Sequence, residues 1–136
     1  MKFVDYLYFN IYNHFYRVSQ YRQSFNPRLQ AMYLCSLGLG GWLLLLESVY
    51  LRVVKRAWFS SREGSMIFSM AVYLLSAALF NYIFIEKDRD LKIFGKYEAR
   101  ANRHPNRKWH LLFSVAILLL PYLVFVFNII FFPRQR

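Results

Sequence analysis

Three long apolar stretches, separated by polar and basic segments, dominate the pattern of the chain. The most apolar of them, 111–132, contains 22 residues and no charge. The hydrocarbon core of a bilayer is about 30 Å thick, which roughly 20 helical residues span at about 1.5 Å each. Two earlier stretches are similar in length and composition. The pattern therefore predicts three transmembrane helices, over residues 29–54, 66–85 and 109–132.

The first 25 residues follow a different, amphipathic pattern. Apolar side chains such as Phe3, Leu7, Ile11 and Phe15 recur at helical spacing, and polar side chains fall mostly on the opposite face. A helix of this kind is too polar to span a bilayer and lies in the plane of its surface. We predict an interfacial amphipathic helix over residues 1–25. The alternative is a helix that packs against the bundle or against a partner.

The largest polar segment, 86–108, connects the second and third spans as a basic cytoplasmic hairpin. Its first half predicts a helical extension to about Ala101, in which Asp88 and Lys92 can pair at i,i+4. His104-Pro105 ends this extension, because proline cannot continue a helix. The whole chain, 1–136, is thus predicted to be one membrane domain. Its fold class is an all-α integral membrane protein with three transmembrane helices preceded by an N-terminal amphipathic interfacial helix.

Composition and charge indicate that the protein interacts with lipid. The chain is 57% hydrophobic and 21% aromatic, and its formal net charge is +11. A strong positive charge is typical of proteins that bind nucleic acid or anionic lipid headgroups. Because the basic residues lie beside apolar spans, we expect anionic lipid partners and no nucleic acid. The residues assigned to headgroup contact all follow the last acidic residue of the chain: Arg100, Arg103, Arg107 and Lys108.

The distribution of basic residues predicts an orientation. Three spans place the N-terminal segment and the 86–108 hairpin on one side of the membrane, and that side carries twice as many lysines and arginines as the first loop and the C-terminal tail. Positive residues are retained on the cytoplasmic side. We predict a bacterial inner (plasma) membrane location, with the N-terminus in the cytoplasm and the C-terminus outside.

Small residues in the first two spans indicate where helices approach one another closely. Ser36 and Gly40 form a small-xxx-small pair, and Ser76 and Ala77 lie in a small-residue stretch of the second span. Small side chains allow helix backbones to come close together in lipid. We predict that these four residues pack against another helix, and that such faces join the protein to a partner.

One carboxylate, Glu47, lies inside the predicted first span. Counting helical rises places it about 9 Å from the midplane, in the same leaflet as Ser69, Tyr73 and Asn128. A carboxylate in lipid is costly unless it is paired, protonated or hydrated, so these four residues form a candidate intramembrane polar layer. The alternative is that Glu47 reaches Arg52 or water at the membrane boundary.

Motifs for catalysis or cofactor binding are missing from the sequence, which has no Gly-rich phosphate loop, HExxH, CxxC or G-x-S-x-G. The single cysteine, Cys35, is predicted to pack inside a span, and the three histidines are not at ligand spacing. Asp88 and Asp90 have the D-x-D spacing that can hold Mg²⁺ against a lipid phosphate, although Arg89 and Lys92 can neutralise them locally. We expect no cofactor and no resident metal.

Three functions are compatible with these features. The first is a small, non-catalytic accessory or scaffold subunit of a larger membrane complex, because three helices leave little interior for a private site. The second is a homo-oligomeric channel or membrane-disrupting effector lined by the polar layer. The third is a lipid-headgroup enzyme that uses Asp88, Asp90 and neighbouring basic residues. The expected protein partner is accordingly a larger membrane complex or a second copy of the chain.

Overall fold

The computed structural model describes residues 3–21, 26–51, 53 and 62–131. These residues form five α-helices: α1 (Phe3–Tyr21), α2 (Pro27–Tyr50), α3 (Arg62–Phe80), α4 (Arg89–Arg103) and α5 (Arg107–Phe131). A π-helical segment, Asn81–Glu86, extends α3. The part of the chain that the structure describes contains no strand, so the predicted all-α class is confirmed.

Three stretches are long and apolar enough to cross a membrane: Pro27–Tyr50, Glu63–Glu86 and Arg107–Asn128. The prediction of three membrane-spanning helices is confirmed as far as length and composition decide it. The helix of the first span, α2, is the most buried of the three and lies between α3 and α5 in the bundle. The far ends of the predicted first and third spans, residues 54 and 132, and most of the first loop lie outside the described residues.

The start of α2 is fixed by two adjacent residues. The side-chain oxygen of Asn26 accepts a hydrogen bond from the backbone N–H of Arg28 at 3.1 Å. Pro27 occupies the first turn, where an N–H would have no helical partner in any case. This cap places Arg28 at the end of the bundle where α3 finishes and α5 begins.

Helix α1 packs on the chain's own bundle, against α2, α4 and α5. Its buried side chains include Leu7, Tyr8, Ile11 and Tyr12. The apolar face of α1 therefore turns inwards to protein, as in the alternative considered above. Contact between α1 and the membrane surface stays a prediction.

Stacked aromatic rings connect α1 to the helices around it. Tyr8 stacks on Phe84 of the π-helical segment, with ring centroids 4.2 Å apart and planes 11° from parallel. Phe94 of α4 packs against the rings of Tyr12 and Tyr16, with centroids 4.9 and 4.7 Å away. Buried aromatic pairs of this kind contribute about 0.5–1.5 kcal/mol each beyond their area. They hold α1 and α4 together as a cap on one end of the bundle.

The space beside the small residues of α2 is filled by side chains from other helices of the same chain. Ser36 is buried, and a Cβ added to Gly40 would lie 2.5 Å from the Tyr73 ring of α3. On α3, Ser76 is almost completely buried and Ala77 is half-buried. The Gly40 side of α2 is consequently covered by α3, so a partner helix would have to use another surface.

Candidate anion-binding site

The turn between α4 and α5 gathers basic side chains at the capped end of the bundle. α4 ends at Arg103 because His104 is extended ahead of Pro105. The chain reverses within residues 104–106, and α5 begins at Arg107. The last turn of α4 and the first turn of α5 therefore border the same space, with basic residues on both.

A cavity of about 150 Å³, here named the basic pocket, lies between α1, α4 and α5. It is lined by Tyr6, Phe9, Asn10, Tyr97, Arg100, Ala101, His104, Arg107 and His110. None of these lining residues is acidic. Arginine offers only hydrogen-bond donors, so the basic pocket presents positive charge and donors to any occupant.

Hydrogen bonds from α1 fix the wall formed by α5. The Tyr6 hydroxyl and His110 Nδ1 are hydrogen-bonded at 2.5 Å. Asn10 Nδ2 donates to the hydroxyl of Ser114 at 2.9 Å, and that hydroxyl donates to the carbonyl of His110 at 2.8 Å. The His104 ring lies edge-on to His110, with centroids 5.4 Å apart. The two histidines are thus positioned by packing and hydrogen bonds from both neighbouring helices.

A second cavity of about 220 Å³, the side cavity, adjoins the basic pocket and shares Asn10 and Arg107 with it. Its remaining lining residues are Asn13, His14, Lys108 and Leu111. Asn13 is only 4% exposed, and its Oδ1 has no hydrogen-bond partner within the described part of the chain. Buried polar atoms are nearly always paired. Asn13 Oδ1 is thus an unpaired acceptor, among the described residues, on a side chain that lines the side cavity.

The predicted headgroup residues divide between the two cavities. Arg100 and Arg107 line the basic pocket, and Lys108 lines the side cavity. Arg103 is exposed in the last turn of α4 and belongs to neither lining. Their contact with lipid headgroups remains a prediction, but three of the four line one or both of these cavities.

Sequence reasoning did not assign the contribution of α1 to this site. Tyr6, Asn10, Asn13 and His14 all line one or both cavities. They are spaced by four, three and one residues, which places them on one face of a helix. A polar stripe on an otherwise aromatic helix was the signal that could have identified them.

All three histidines of the chain border this site. His104 and His110 line the basic pocket and His14 lines the side cavity. Across the described ranges, no group of three or more His, Cys, Asp or Glu side chains is placed to hold a metal ion.

The acidic pair of the hairpin is engaged by a distant arginine. Arg28 Nε donates to Asp90 Oδ2 at 2.6 Å and its Nη2 donates to Asp90 Oδ1 and to Asp88 Oδ1, both at 2.9 Å. Arg89 Nη2 binds Asp5 of α1 at 2.8 Å. The expected local pairing of Asp88 and Asp90 with Arg89 and Lys92 is therefore wrong. The fold brings a closer partner for the two aspartates from α2.

This ion-pair cluster is built around one fully buried carboxylate. The Asp90 side chain is 0% exposed, and its Oδ1 also accepts the backbone N–H of Leu91 at 2.9 Å. Asp88, the one described non-glycine residue with positive φ (47°), lies in the tight turn that directs α4 back towards α1. The cluster ties α1, α2 and α4 together and leaves the carboxylates of Asp5 and Asp90 occupied.

Two phenols of α1 stay neutral beside this cluster. Burial, followed by the negative charge of Asp90, raises the pKa of Tyr8 and the pKa of Tyr12. The Tyr8 hydroxyl donates to the carbonyl of Arg28 at 3.4 Å. Because both phenols remain protonated at neutral pH, they do not reduce the positive charge of the neighbouring cavities.

The candidate polar layer is only partly organised by side-chain hydrogen bonds. The Tyr73 hydroxyl pairs with that of Tyr122 at 2.8 Å, and Tyr122 donates to the carbonyl of Leu37 at 2.7 Å. Ser69 donates to Ser65 of its own helix at 2.8 Å. Asn128 likewise donates to the carbonyl of Val124 in its own helix. Tyr122, which sequence reasoning did not single out, is thus the residue that connects α2, α3 and α5.

Glu47, the acidic member of the layer, is half-buried on α2. Arg52, the basic residue within its reach along the sequence, lies outside the described residues. A functional role for the Glu47 carboxylate stays a prediction.

Comparisons of the chain with protein-family models, curated proteins and solved structures find no match.

Proposed function

We propose that the protein is a small, non-catalytic membrane protein that binds anionic phospholipid headgroups and serves as an accessory or scaffold subunit of a larger membrane complex. The headgroup site of this proposal comprises the basic pocket and the side cavity. The proposal combines the membrane-spanning character of α2, α3 and α5 with the chemistry of their capped end.

One observation carries the proposal: basic side chains converge on two adjoining cavities that have no acidic lining residue. Arg100, Arg107 and Lys108 supply the permanent charge. Hydrogen bonds from cations to phosphate oxygens are about twice as strong as neutral ones. The first turn of α5 also lies here, and a helix N-terminus favours anions. Phosphate is the anion that a membrane supplies at this depth.

The enzyme hypothesis loses its main support from the same geometry. Asp88 and Asp90 were the candidate metal ligands, and both accept hydrogen bonds from Arg28. A buried carboxylate already paired with a guanidinium is a poor ligand for Mg²⁺, because the metal would have to displace that partner. The pairing of Asp88 and Asp90 with Arg28 therefore favours a site that binds headgroups over a site that catalyses a reaction on them.

The accessory role rests on the outer surfaces of the bundle. α3 and α5 bury only a small share of their apolar residues within the chain. Exposed leucines include Leu74 and Leu75 on α3 and Leu123 on α5. These outward faces are free to meet lipid or a partner, whereas the Gly40 side of α2 is occupied. Purification in mild detergent is expected to recover a stoichiometric membrane partner, and repeated recovery of the bare protein would contradict the accessory role.

The proposal also orients the protein in a bacterial inner membrane, with the capped end and the N-terminus on the cytoplasmic side. The excess of lysine and arginine on that side supports it. Anionic lipids of the cytoplasmic leaflet would then face the basic pocket.

Replacing Arg107 with glutamine should weaken the binding of anionic lipid. Arg107 lines both cavities, so the change removes a charged donor from each. A hydrogen bond to a charged group is worth about 1.5–3 kcal/mol, so we expect about a tenfold or greater loss of relative affinity. The measurement is native mass spectrometry of protein released from nanodiscs that contain equal amounts of phosphatidylglycerol and phosphatidylcholine.

Lys92→Gln provides the matched control for this experiment. Lys92 is an exposed cation of α4 that lines neither cavity. The control variant should retain phosphatidylglycerol as the wild type does. Equal retention of the two lipids by the wild-type protein would overturn the proposed headgroup binding.

A further inference from the structure

An apolar groove continues from the side cavity along α2. Two cavities of about 490 and 390 Å³ form the groove and share Leu34 and Leu37. His14 lines both the side cavity and the nearer part of the groove. Gly38, Leu118 and Tyr122 line the farther part. A polar cavity at the capped end therefore shares His14 with an apolar groove, which lies first between α1 and α2 and then between α2, α3 and α5.

The length of this path matches one leaflet of a bilayer. Leu111 of α5 lines the side cavity and Tyr122 lines the far part of the groove. Eleven residues of helix rise by about 16 Å. Half of a hydrocarbon core is about 15 Å thick. A single acyl chain lying along α2 would thus extend from the headgroup level to the middle of the membrane.

The side cavity also discriminates between headgroups. Arg107 and Lys108 favour a phosphate, whereas the unpaired Oδ1 of Asn13 needs a hydrogen-bond donor. An ammonium group could donate, but it would bring a positive charge beside two cations. A hydroxyl donates without a charge. The chemistry therefore fits an anionic headgroup that carries hydroxyls.

We propose that this path holds one diacyl phospholipid with an anionic, hydroxyl-bearing headgroup of the glycerol type. Its phosphate lies at Arg107 and Lys108, a headgroup hydroxyl donates to Asn13 Oδ1, and one acyl chain occupies the groove past Leu37. This inference rests on the proposed headgroup binding and adds the lipid class, the cavity and the path of the chain.

The headgroup part is tested with two lipids of equal charge. Delipidated full-length protein in detergent is titrated with dioleoyl phosphatidylglycerol and with dioleoyl phosphatidylmethanol, which lacks the hydroxyls. One neutral hydrogen bond corresponds to about a fivefold difference in affinity, so phosphatidylglycerol should bind about fivefold more tightly. Asn13→Ala should abolish that difference, and the wild-type comparison remains informative if this variant fails to fold.

The groove part is tested with a bulky side chain. Leu37 is 49% exposed and lines both parts of the groove, so Leu37→Trp should obstruct the acyl chain. Leu46→Trp is the control, because Leu46 is an exposed leucine of the same helix outside the groove. We expect at least a fivefold weaker binding of dioleoyl phosphatidylglycerol to the Leu37 variant. Dihexanoyl phosphatidylglycerol, whose chains are short, should bind both variants alike.

The outcomes separate this inference from the proposed function. If phosphatidylglycerol and phosphatidylmethanol bind equally, and the two tryptophan variants behave alike, the inference fails. The proposed function would still stand in that case if the wild-type protein bound phosphatidylglycerol and phosphatidylmethanol more tightly than phosphatidylcholine. The Arg107→Gln variant would have to lose this preference. If free glycerol phosphate competes as well as the lipid does, the groove plays no part and the inference is overturned.

Discussion

Replacing Arg28 with methionine is expected to lower the free energy of unfolding by about 3–5 kcal/mol, because it leaves a buried carboxylate without its cation. The Asp90 side chain is 0% exposed and takes two hydrogen bonds from Arg28. Methionine retains an apolar stem of similar length but cannot neutralise the charge. The measurement is unfolding by SDS titration in mixed micelles, followed by helical circular dichroism.

Two further variants identify the cause of that loss. Arg103→Met makes the same substitution at an exposed position of α4 and should change stability by no more than about 0.5 kcal/mol. Adding Asp90→Asn to the Arg28 variant removes the stranded charge and should recover part of the stability. A loss of equal size in Arg103→Met, or no recovery in the double variant, would contradict a structural role for the ion pair.

Gly38→Ala is expected to destabilise the bundle by about 1–3 kcal/mol through overpacking. A Cβ at this position would lie 2.8 Å from the Cβ and 2.9 Å from the Cγ of Leu118. Because the Leu118 Cβ is bonded directly to the backbone, it cannot rotate away, and α5 must move from α2. The same SDS titration measures the effect.

Gly95→Ala is the control, and it should change the free energy of unfolding in the opposite direction. Gly95 lies within α4, and a Cβ there would meet nothing within 4 Å. Alanine in an open helical position should raise the free energy of unfolding by about 0.5–1 kcal/mol, because glycine loses more backbone entropy on folding. If both substitutions shifted stability in the same direction, the close contact of α2 with α5 would not be the cause.

The helices themselves could be predicted from sequence because their signals are local. Length and uninterrupted apolar character identify a span regardless of its neighbours. His104 and Pro105 marked the end of α4 through backbone restrictions that act within a few residues.

The partners of polar side chains could not be predicted because they depend on which helices meet. Arg28 and Asp90 are 62 positions apart, and nothing in the sequence favours that pair over the nearby Lys92. The position of α1 determines which side chains line the candidate site. Its stripe from Tyr6 to His14 completes two cavities that the basic residues of α4 and α5 only begin.

The small residues of α2 show what their sequence spacing leaves open. Ser36 and Gly40 were recognised from their spacing, and Gly40 does meet Tyr73. Gly38 and Gly41 also approach α5 closely, at Leu118 and Tyr122, and the approach is closer at Gly38 than at Gly41. Sequence spacing shows that a helix can be approached closely, whereas only the fold shows that two helices approach α2 from different sides.

Thiol accessibility in intact cells tests the central claim, that the chain crosses the membrane three times with its capped end on one side. In a Cys35→Ala background, Glu63→Cys reports on the start of α3 and Arg103→Cys reports on the capped end. The variants are expressed in bacterial inner membranes, and the outer membrane is then permeabilised. Only one of the two cysteines should react with a membrane-impermeant maleimide. The proposed cytoplasmic orientation of the capped end predicts that the Glu63→Cys variant is the one labelled. Equal labelling of both positions, or release of the protein into detergent-free buffer, would contradict the account.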